Sequence, residues 1–561
     1  MAKEEGVIMP TTKIYYDTIL KETGMEVNEF VKKIPYAGLE VDELSEEYIK
    51  LEYTPNRLDY GFPFGIFKTF KGIMDKEKGL IKYSVNPPLN MYFVEVERDI
   101  EKVRPFISCF VIKNLSLTDF DVEYIINFQE DLHRTIGRDR RKVSIGIHDL
   151  DKITPPIYYV TEKESFKFIP LGFDEEMTIR EILEKHPKGI EYGELIPKEY
   201  KLYPILKDSE GTVLSLPPII NSIHTQVTVE TKNLFIDVTG WDVEAINQVV
   251  SLLSTSLSDI GGEIYQVETI YPNKRVRSPQ LEYTEIRVSH EMINQLLGLE
   301  MSTKEIVESL ERMRYEVKVK EEDFLVTVPP YRIDILHPID IVEDVAIGMG
   351  FWRINPTMEG MFYSEAKHLE VEDFINDKIV PLFNGLGFIE AINMMLINRE
   401  VQLSYINLKD RSVVEVVNPK TSRNTVRHML LPGLLESVYR NLNEEYPIKL
   451  FEVGWVIEEG LKERLKLCAI IGDYRVNYGD IKAVVDAMLS DLGMLKISRY
   501  EREELPFLIK GRSAKLMIKN RDVGFLGELN PEVLLKFDIN IPLVVAEIYI
   551  EPLFKIYQEL S

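Results

Sequence analysis

Cysteine is nearly absent. The 561 residues hold two, Cys109 and Cys468, far apart in the chain. That argues against a disulfide framework and against a cysteine zinc site, and fits a reducing cytoplasm. Long apolar runs are missing too. The opening MAKEEGVIMP has no apolar core for a signal peptide. The longest run without a charged residue, 211–229, contains Pro, Ser, Asn, Gln and His and does not read as a membrane span. There is no fixed-period repeat and no low-complexity segment. Positive charge is in deficit: 67 Lys and Arg stand against 92 Asp and Glu, for a formal net charge of -25. That argues against a protein that coats nucleic acid non-specifically. It leaves room for a local basic patch and a more basic partner.

What is present is ordinary for a soluble globular chain: 45% hydrophobic and 28% charged residues. The length exceeds one hydrophobic core and implies roughly three to five domains. Composition shifts at VNPPLN (85–90), YPNKRVRSPQL (271–281) and FWRINPTMEG (351–360) suggest the boundaries. Residues 1–85 mix short strands and amphipathic helices. Residues 90–270 carry β-rich runs (FISCFVIKNL, KVSIGIHDL, QVTVETKNLFIDVTG) punctuated by helical patterns (IINFQEDLHRTI, VEAINQVVSLLSTSLSDI). In 275–352, Ser302 and Glu305 form a capping-box signature for a helix. FLVTVPP reads as a strand stopped by Pro329 and Pro330, and Pro338 suits the first turn of another helix. Residues 360–561 open on a helix and alternate strands (SVVEVVNP, IKLFEVGWVIEEG, RLKLCAIIGDY, PLVVAEIYI) with helices. The expected class is α+β and multidomain, ending in an antiparallel sheet with flanking helices.

One stretch stands out. YRIDILHPIDIVEDVAIGMGF (331–351) crowds Asp334, Asp340, Glu343 and Asp344 among apolar residues, with Arg332 as its one full positive charge. On a helix begun by Pro338, Val342, Val345 and Met349 share one face and the acids another. Acids in a first turn meet the positive end of the helix dipole, so a solvated, dipole-matched helix start accounts for them. A Mg²⁺ site accounts for them too, since hard cations take carboxylate oxygens. Spacing does not decide between the two.

This stretch resembles the signature of the β subunit of phenylalanyl-tRNA synthetase. Further stretches look like the archaeal/eukaryotic type of that family, in family order: LEYTPNRLDYGFPFGIFKTFKGI (51–73), IGRDRRKVSIGIHDLDKI (136–153), LPPIINSIHTQVTVETKNLFIDVTG (216–240), NTVRHMLLPGLLESV (424–438), LFEVGWV (450–456) and GRSAKLMI with VGFLGELNPEV (511–533). The resemblance implies an N-terminal domain at 1–85 and an editing domain at 90–270. It implies a helix-turn-helix-like, DNA-binding-type domain at 275–352 and a catalytically silent class II synthetase-like domain at 360–561. It places Mg²⁺ on Asp334, Asp340, Glu343 and Asp344, where two subunit types meet. It implies a heterotetramer of two α and two β chains in which the α subunit binds ATP and phenylalanine and charges the phenylalanine tRNA. The bacterial type carries two further domains for which this chain has no room, so the shorter archaeal type is expected.

Editing is needed because an apolar pocket rejects poorly an isostere that merely adds a hydroxyl, as tyrosine does relative to phenylalanine. Ester hydrolysis requires a positioned water and a stabilised oxyanion. Ser215, Asn221, Ser222, His224, Asp237 and Thr239 offer suitable groups: Asp237 and Thr239 as pocket lining, Asn221 and Ser222 to hold water or ester. Each also reads as a strand-end or turn residue, and 237–240 in particular as a turn. Arg138, Arg140, Arg141 and Lys142 form a basic cluster suited to tRNA phosphates or to an exposed loop. Lys274, Arg275 and Arg277 fall in an expected linker. In the last block Arg427 is the nearest match to the arginine a class II core sets against an α-phosphate, and no second such motif follows. The class I signatures HIGH and KMSKS and the P-loop are all absent. Two other readings remain: a helix-turn-helix nucleic-acid-binding regulator, disfavoured by the nearly charge-balanced STKEIVESLERMR, and a stand-alone aminoacyl-tRNA hydrolase.

Overall fold

The structure, a computed structural model, describes residues 9–321, 323–354, 370–408 and 411–560. The chain divides into two compact units, 1–357 and 358–561. Three of the four expected blocks therefore share one unit.

Within the first unit, a three-stranded antiparallel sheet (Thr11–Tyr15, Tyr48–Glu52 and Glu40–Leu44, with Tyr48–Glu52 central) packs with helix Pro63–Ile73. The middle block is built on an eleven-stranded sheet. From one end its path runs Ile220–Asn221, Val213–Leu216, Tyr203–Lys207, Ile157–Glu162, Phe93–Val96, Glu263–Ile270, Phe106–Lys113, Leu234–Gly240 and Val143–Asp149. Val85–Asn86 and Arg275–Ser278 also pair with Glu263–Ile270. The expected basic linker is thus an edge strand, where Arg275 and Arg277 both meet Glu268. Helices Asp119–Arg134 and Val243–Asp259 cover one face, each started by a side-chain cap (Thr118 and Asp242). The turn expected at 237–240 is instead the end of strand Leu234–Gly240, buried at every position. Hydrogen-bonded strands on both sides override the local turn preference of Asp and Gly.

The third block sets helices His290–Leu297, Thr303–Arg312 and Pro338–Met349 against a sheet ordered Thr284–Ser289, Asp323–Val328, Glu316–Lys320. The Ser302–Glu305 capping box forms as its spacing predicts, and Pro338 takes the first helical position. Helix Thr303–Arg312 abuts helix Pro63–Ile73 so closely that a Cβ on Gly72 would lie 1.9 Å from the Arg312 carbonyl oxygen.

A buried charge network ties the three blocks together. Arg57 forks onto Asp59 at 2.8 and 2.9 Å. Lys68 lies 2.7 Å from Asp259 and over the Tyr331 ring, and the Tyr83 hydroxyl donates to Asp259 at 3.0 Å. Asp259 ends the helix of the middle block, Lys68 belongs to the first, and Tyr331 opens the acidic stretch of the third.

The second unit is a seven-stranded sheet: Ile389–Glu390, Ile448–Glu458, Lys462–Gly472, Leu543–Tyr549, Arg521–Leu529, Leu508–Ile518 and Ser498–Arg502. All pairings are antiparallel except that of Ile389–Glu390. Its central strands are apolar on both faces. Leu467, Ala469 and Ile471 join one core with helices Tyr478–Asp491 and Ile550–Leu560, while Cys468 and Ile470 join the other with Leu431–Arg440 and Pro531–Lys536. The strand expected at SVVEVVNP does not form; that segment makes a single bridge, Glu415 to Thr425. Among the described residues no helix is long and apolar enough to cross a membrane.

Candidate functional site

The two ends of the eleven-stranded sheet face each other across a cavity of about 220 Å³. Ser144 and Gly146 line it from one terminal strand, Ser215 and Asn221 from the opposite end, with Asp237 beside them and Glu130 and Gln129 reaching in from helix Asp119–Arg134. Ser215 and Asn221 are cross-strand partners. The Ser215 hydroxyl is buried and has no hydrogen-bond partner. A buried hydroxyl left unpaired costs free energy, so an orphan in a cavity wall points to a ligand or water there.

Three of the six residues singled out from the sequence therefore meet at one cavity: Ser215, Asn221 and Asp237. The other three lie elsewhere. Ser222 caps the short turn Ile223–Thr225, accepting from the His224 N–H and donating to the Ile169 carbonyl. His224 is exposed. Thr239 sits behind the lining, 3.2 Å from the Ser144 hydroxyl, where its side chain and carbonyl both accept from Arg104 at 2.8 Å.

The basic cluster divides. Arg138 and Arg141 are exposed, and Lys142 pairs with Asp242 at 2.7 Å. Arg140 is buried and turned inward. It donates to the carbonyls of Pro218 (3.2 Å) and Ile219 (2.9 Å) and pairs with Glu130 at 2.8 Å. Arg138, Asp139 and Arg140 are three successive residues with left-handed backbone, φ 49°, 53° and 63°. Such a run is unfavourable for residues with a Cβ, and the bonds of Arg140 hold it in place. Arg140 thus joins the two ends of the sheet and is not available to a phosphate.

Two polar groups, one in the cavity wall and one behind it, are not evident from the sequence. His133 accepts from the Ile145 N–H at Nε2, so its proton sits on Nδ1, facing Glu130 at 3.4 Å. Burial outweighs the Glu130 hydrogen bond and lowers His133 to about 4, so it is neutral at neutral pH. Burial would raise Glu130, but the His133 hydrogen bond and the Arg140 guanidinium outweigh it and hold this carboxyl at about 2. With His133 neutral, Arg140 supplies the charge. Glu130 is therefore an anion kept in the cavity wall. Its sequence signal, a Glu three residues before a His on a helix, is too common to single out.

The acidic stretch has a different arrangement from the one expected. Arg332 donates to both oxygens of Asp334 (2.8–3.2 Å) and lies 2.6 Å from Asp344. The Tyr315 hydroxyl also donates to Asp344. Asp344, placed on the exposed acidic face by helical periodicity, is buried. Asp340 accepts from the Leu336 and His337 N–H groups and caps the helix. Glu343 alone points outward; partial burial and the neighbouring Asp344 push its carboxyl up. Among the described residues no three His, Cys, Asp or Glu side chains converge as a metal cage. The four-carboxylate set does not fit a metal held by this chain alone, because two of its members are spent on Arg332.

In the second unit Arg427 is buried with Glu452 at 2.5 Å. It also donates to the Trp455 and Asn393 carbonyls. A Cβ on Gly454 would fall 2.3 Å from its Nη2.

The chain is assembled from tRNA synthetase modules. The family model described as B3/4 domain matches residues 121–256, the tRNA synthetase B5 domain 286–351, and the phenylalanyl tRNA synthetase beta chain CLM domain 362–550. The phenylalanine–tRNA ligase beta subunit of Pyrococcus furiosus is 38% identical, over 98% of this chain and 100% of the relative. That of Methanocaldococcus jannaschii is 39% identical, over 97% and 100%. A crystal structure of an N-terminal fragment of the phenylalanyl-tRNA synthetase β subunit from Pyrococcus horikoshii superposes with a TM-score of 0.58 at 40% identity, covering 60% of this chain and 99% of the fragment. The chain belongs to the phenylalanine–tRNA ligase β-subunit family, and so to the aminoacyl-tRNA ligases.

Proposed function

We propose that this chain pairs with an α subunit, two of each, to attach phenylalanine to its tRNA, and that the cavity at 130–237 hydrolyses tyrosine mistakenly esterified to that tRNA. The orphaned hydroxyl of Ser215, facing a cavity shared with Asp237, carries the hydrolytic reading. A tyrosyl ester presents a phenol O–H, an ammonium and a carbonyl. The Asp237 carboxylate accepts from the phenol, and ionised Glu130 meets the ammonium. The Ser215 hydroxyl and Asn221 amide orient water or polarise the ester. The hydroxyl site recognises what an apolar synthetic pocket misses. In the α-paired enzyme, Ser215→Ala and Asp237→Ala should each slow deacylation of tyrosylated tRNA at least roughly tenfold, the loss of one hydrogen bond to a charged or reacting group. Wild-type deacylation in both variants would refute the reading.

The second unit is proposed to be catalytically silent, with ATP and phenylalanine bound by the α chain, because Arg427 is committed to Glu452. Arg138 and Arg141 remain the proposed tRNA phosphate contacts. Mg²⁺, if shared between subunits, would be held from this side by Asp340 and Glu343, one helical turn apart, and would neutralise charge at the contact. Asp340→Asn should then abolish Mg²⁺-dependent stabilisation of the complex; an unchanged response would leave Asp340 as a helix cap and nothing more. Neither alternative class gains support. Arg312, on the would-be recognition helix, pairs with Asp75, and the middle block shares the buried Lys68–Asp259 ion pair with the first block.

A further inference from the structure

Asp237 does not stand alone. The His148 ring, fully buried, lies on the adjacent strand with Nε2 at 2.8 Å from Asp237 Oδ1. Its Nδ1 lies 2.8 Å from the Thr225 hydroxyl. A carboxylate only accepts, so Nε2 carries the proton toward Asp237. That hydrogen bond fixes one carboxylate oxygen, and Thr225 holds the ring from its other nitrogen. Gly146, two residues before His148, makes the room: a Cβ there would fall 2.2 Å from Asp237 Oδ1 and 2.6 Å from His148 Nε2. Gly146 and Asp237 line the cavity, while His148 and Thr225 lie behind it.

We propose that His148 is a positioning residue for hydroxyl discrimination: by holding Oδ1 it aims Oδ2 of Asp237 at the phenol of a tyrosyl ester. The proposal rests on the hydrolytic reading above. It makes no bond and moves no proton. Its effect is to remove the rotational freedom of the acceptor, so that the binding energy of the extra hydroxyl is realised in one geometry. A phenylalanyl ester, lacking the hydroxyl, gains nothing from this arrangement.

The test uses the enzyme paired with its α subunit and compares hydrolysis of tyrosylated and phenylalanylated tRNA by the same preparation. His148→Ala should lower the tyrosyl-to-phenylalanyl ratio of kcat/KM roughly ten- to a hundredfold. His148→Gln, whose amide N–H still reaches toward Asp237, should recover most of the ratio. An unchanged ratio in His148→Ala, whether both rates hold or both fall together, would overturn the proposal, since a merely structural residue affects both esters alike. A ratio lost equally in both variants would also overturn it, because the donor would then not be what matters. Asp237→Ala separates the two levels. If it abolishes tyrosyl hydrolysis while His148→Ala does not alter the ratio, the cavity reading stands and the positioning role fails. If Asp237→Ala and Ser215→Ala both hydrolyse as wild type, the cavity reading itself falls.

Discussion

Arg332 lies 2.6 Å from Asp344, and both side chains are almost wholly buried. The guanidinium also grips Asp334 two residues on, while the Tyr315 hydroxyl donates to the same Asp344 oxygen. Replacing one partner of such a group strands the other charge, at a cost of about 3–5 kcal/mol. Arg332→Met should therefore lower unfolding free energy by about that amount in denaturant titration, and adding Asp344→Asn should recover part of it. A loss below about 1 kcal/mol would mean that the acids find another counter-charge.

Gly146 tests the cavity wall without replacing a polar side chain. In Gly146→Ala the new methyl would overlap Asp237 and His148, forcing the carboxylate aside. A displacement near 1 Å at a reacting site costs on the order of a hundredfold in rate. Tyrosyl ester hydrolysis by the α-paired enzyme should fall accordingly, and a rate within twofold of wild type would place the reacting ester elsewhere.

Arg427 separates stability from synthesis. Arg427→Met should destabilise the second unit by roughly 3 kcal/mol, leaving Glu452 buried without its partner. At a temperature where the complex stays assembled, the Km for ATP should be unaltered. A raised Km for ATP there would show that Arg427 reaches the nucleotide.

The pH dependence has a definite sign. Burial lowers His133 from 6.5 to about 4. Between those values the unfolded chain binds a proton that the folded chain refuses. Its contribution is complete above about pH 6.5 and is lost as pH falls toward about 4, on the order of 3 kcal/mol. Asp131, on the same helix, acts oppositely: burial raises it from 3.8 to about 6, so stability declines as pH rises through that range. The His133 part is isolated by comparing wild type with His133→Gln. The difference in unfolding free energy should shrink as pH falls from about 6.5 to about 4. Parallel pH curves would show that the folded state protonates His133 normally.

Local signals carry where the physics is local. The Ser302–Glu305 box and Pro338 each act within one turn, and both helix starts form as expected. Helices Asp119–Arg134 and Val243–Asp259 followed from their apolar periodicity. SVVEVVNP failed because β propensity needs a neighbouring strand, and none extends along it. Four cations within five residues look like surface charge, but the inward turn of Arg140 depends on carbonyls at 218 and 219 and on Glu130. His148 carries no local signal, since its partners, Thr225 and Asp237, lie 77 and 89 residues away.

The order of motifs along the chain was thus enough to indicate the family, the α+β class and an acidic helix start, since motif order, hydrophobic period and capping are properties of the sequence itself. The tertiary structure alone decided which charges neutralise one another and which polar groups share a cavity. The opposite ends of one sheet must meet before Ser215 faces Asp237, and Arg332 must be buried before Asp334 and Asp344 become its partners. Electrostatics and cavity lining depend on distance in space, which sequence separation does not fix.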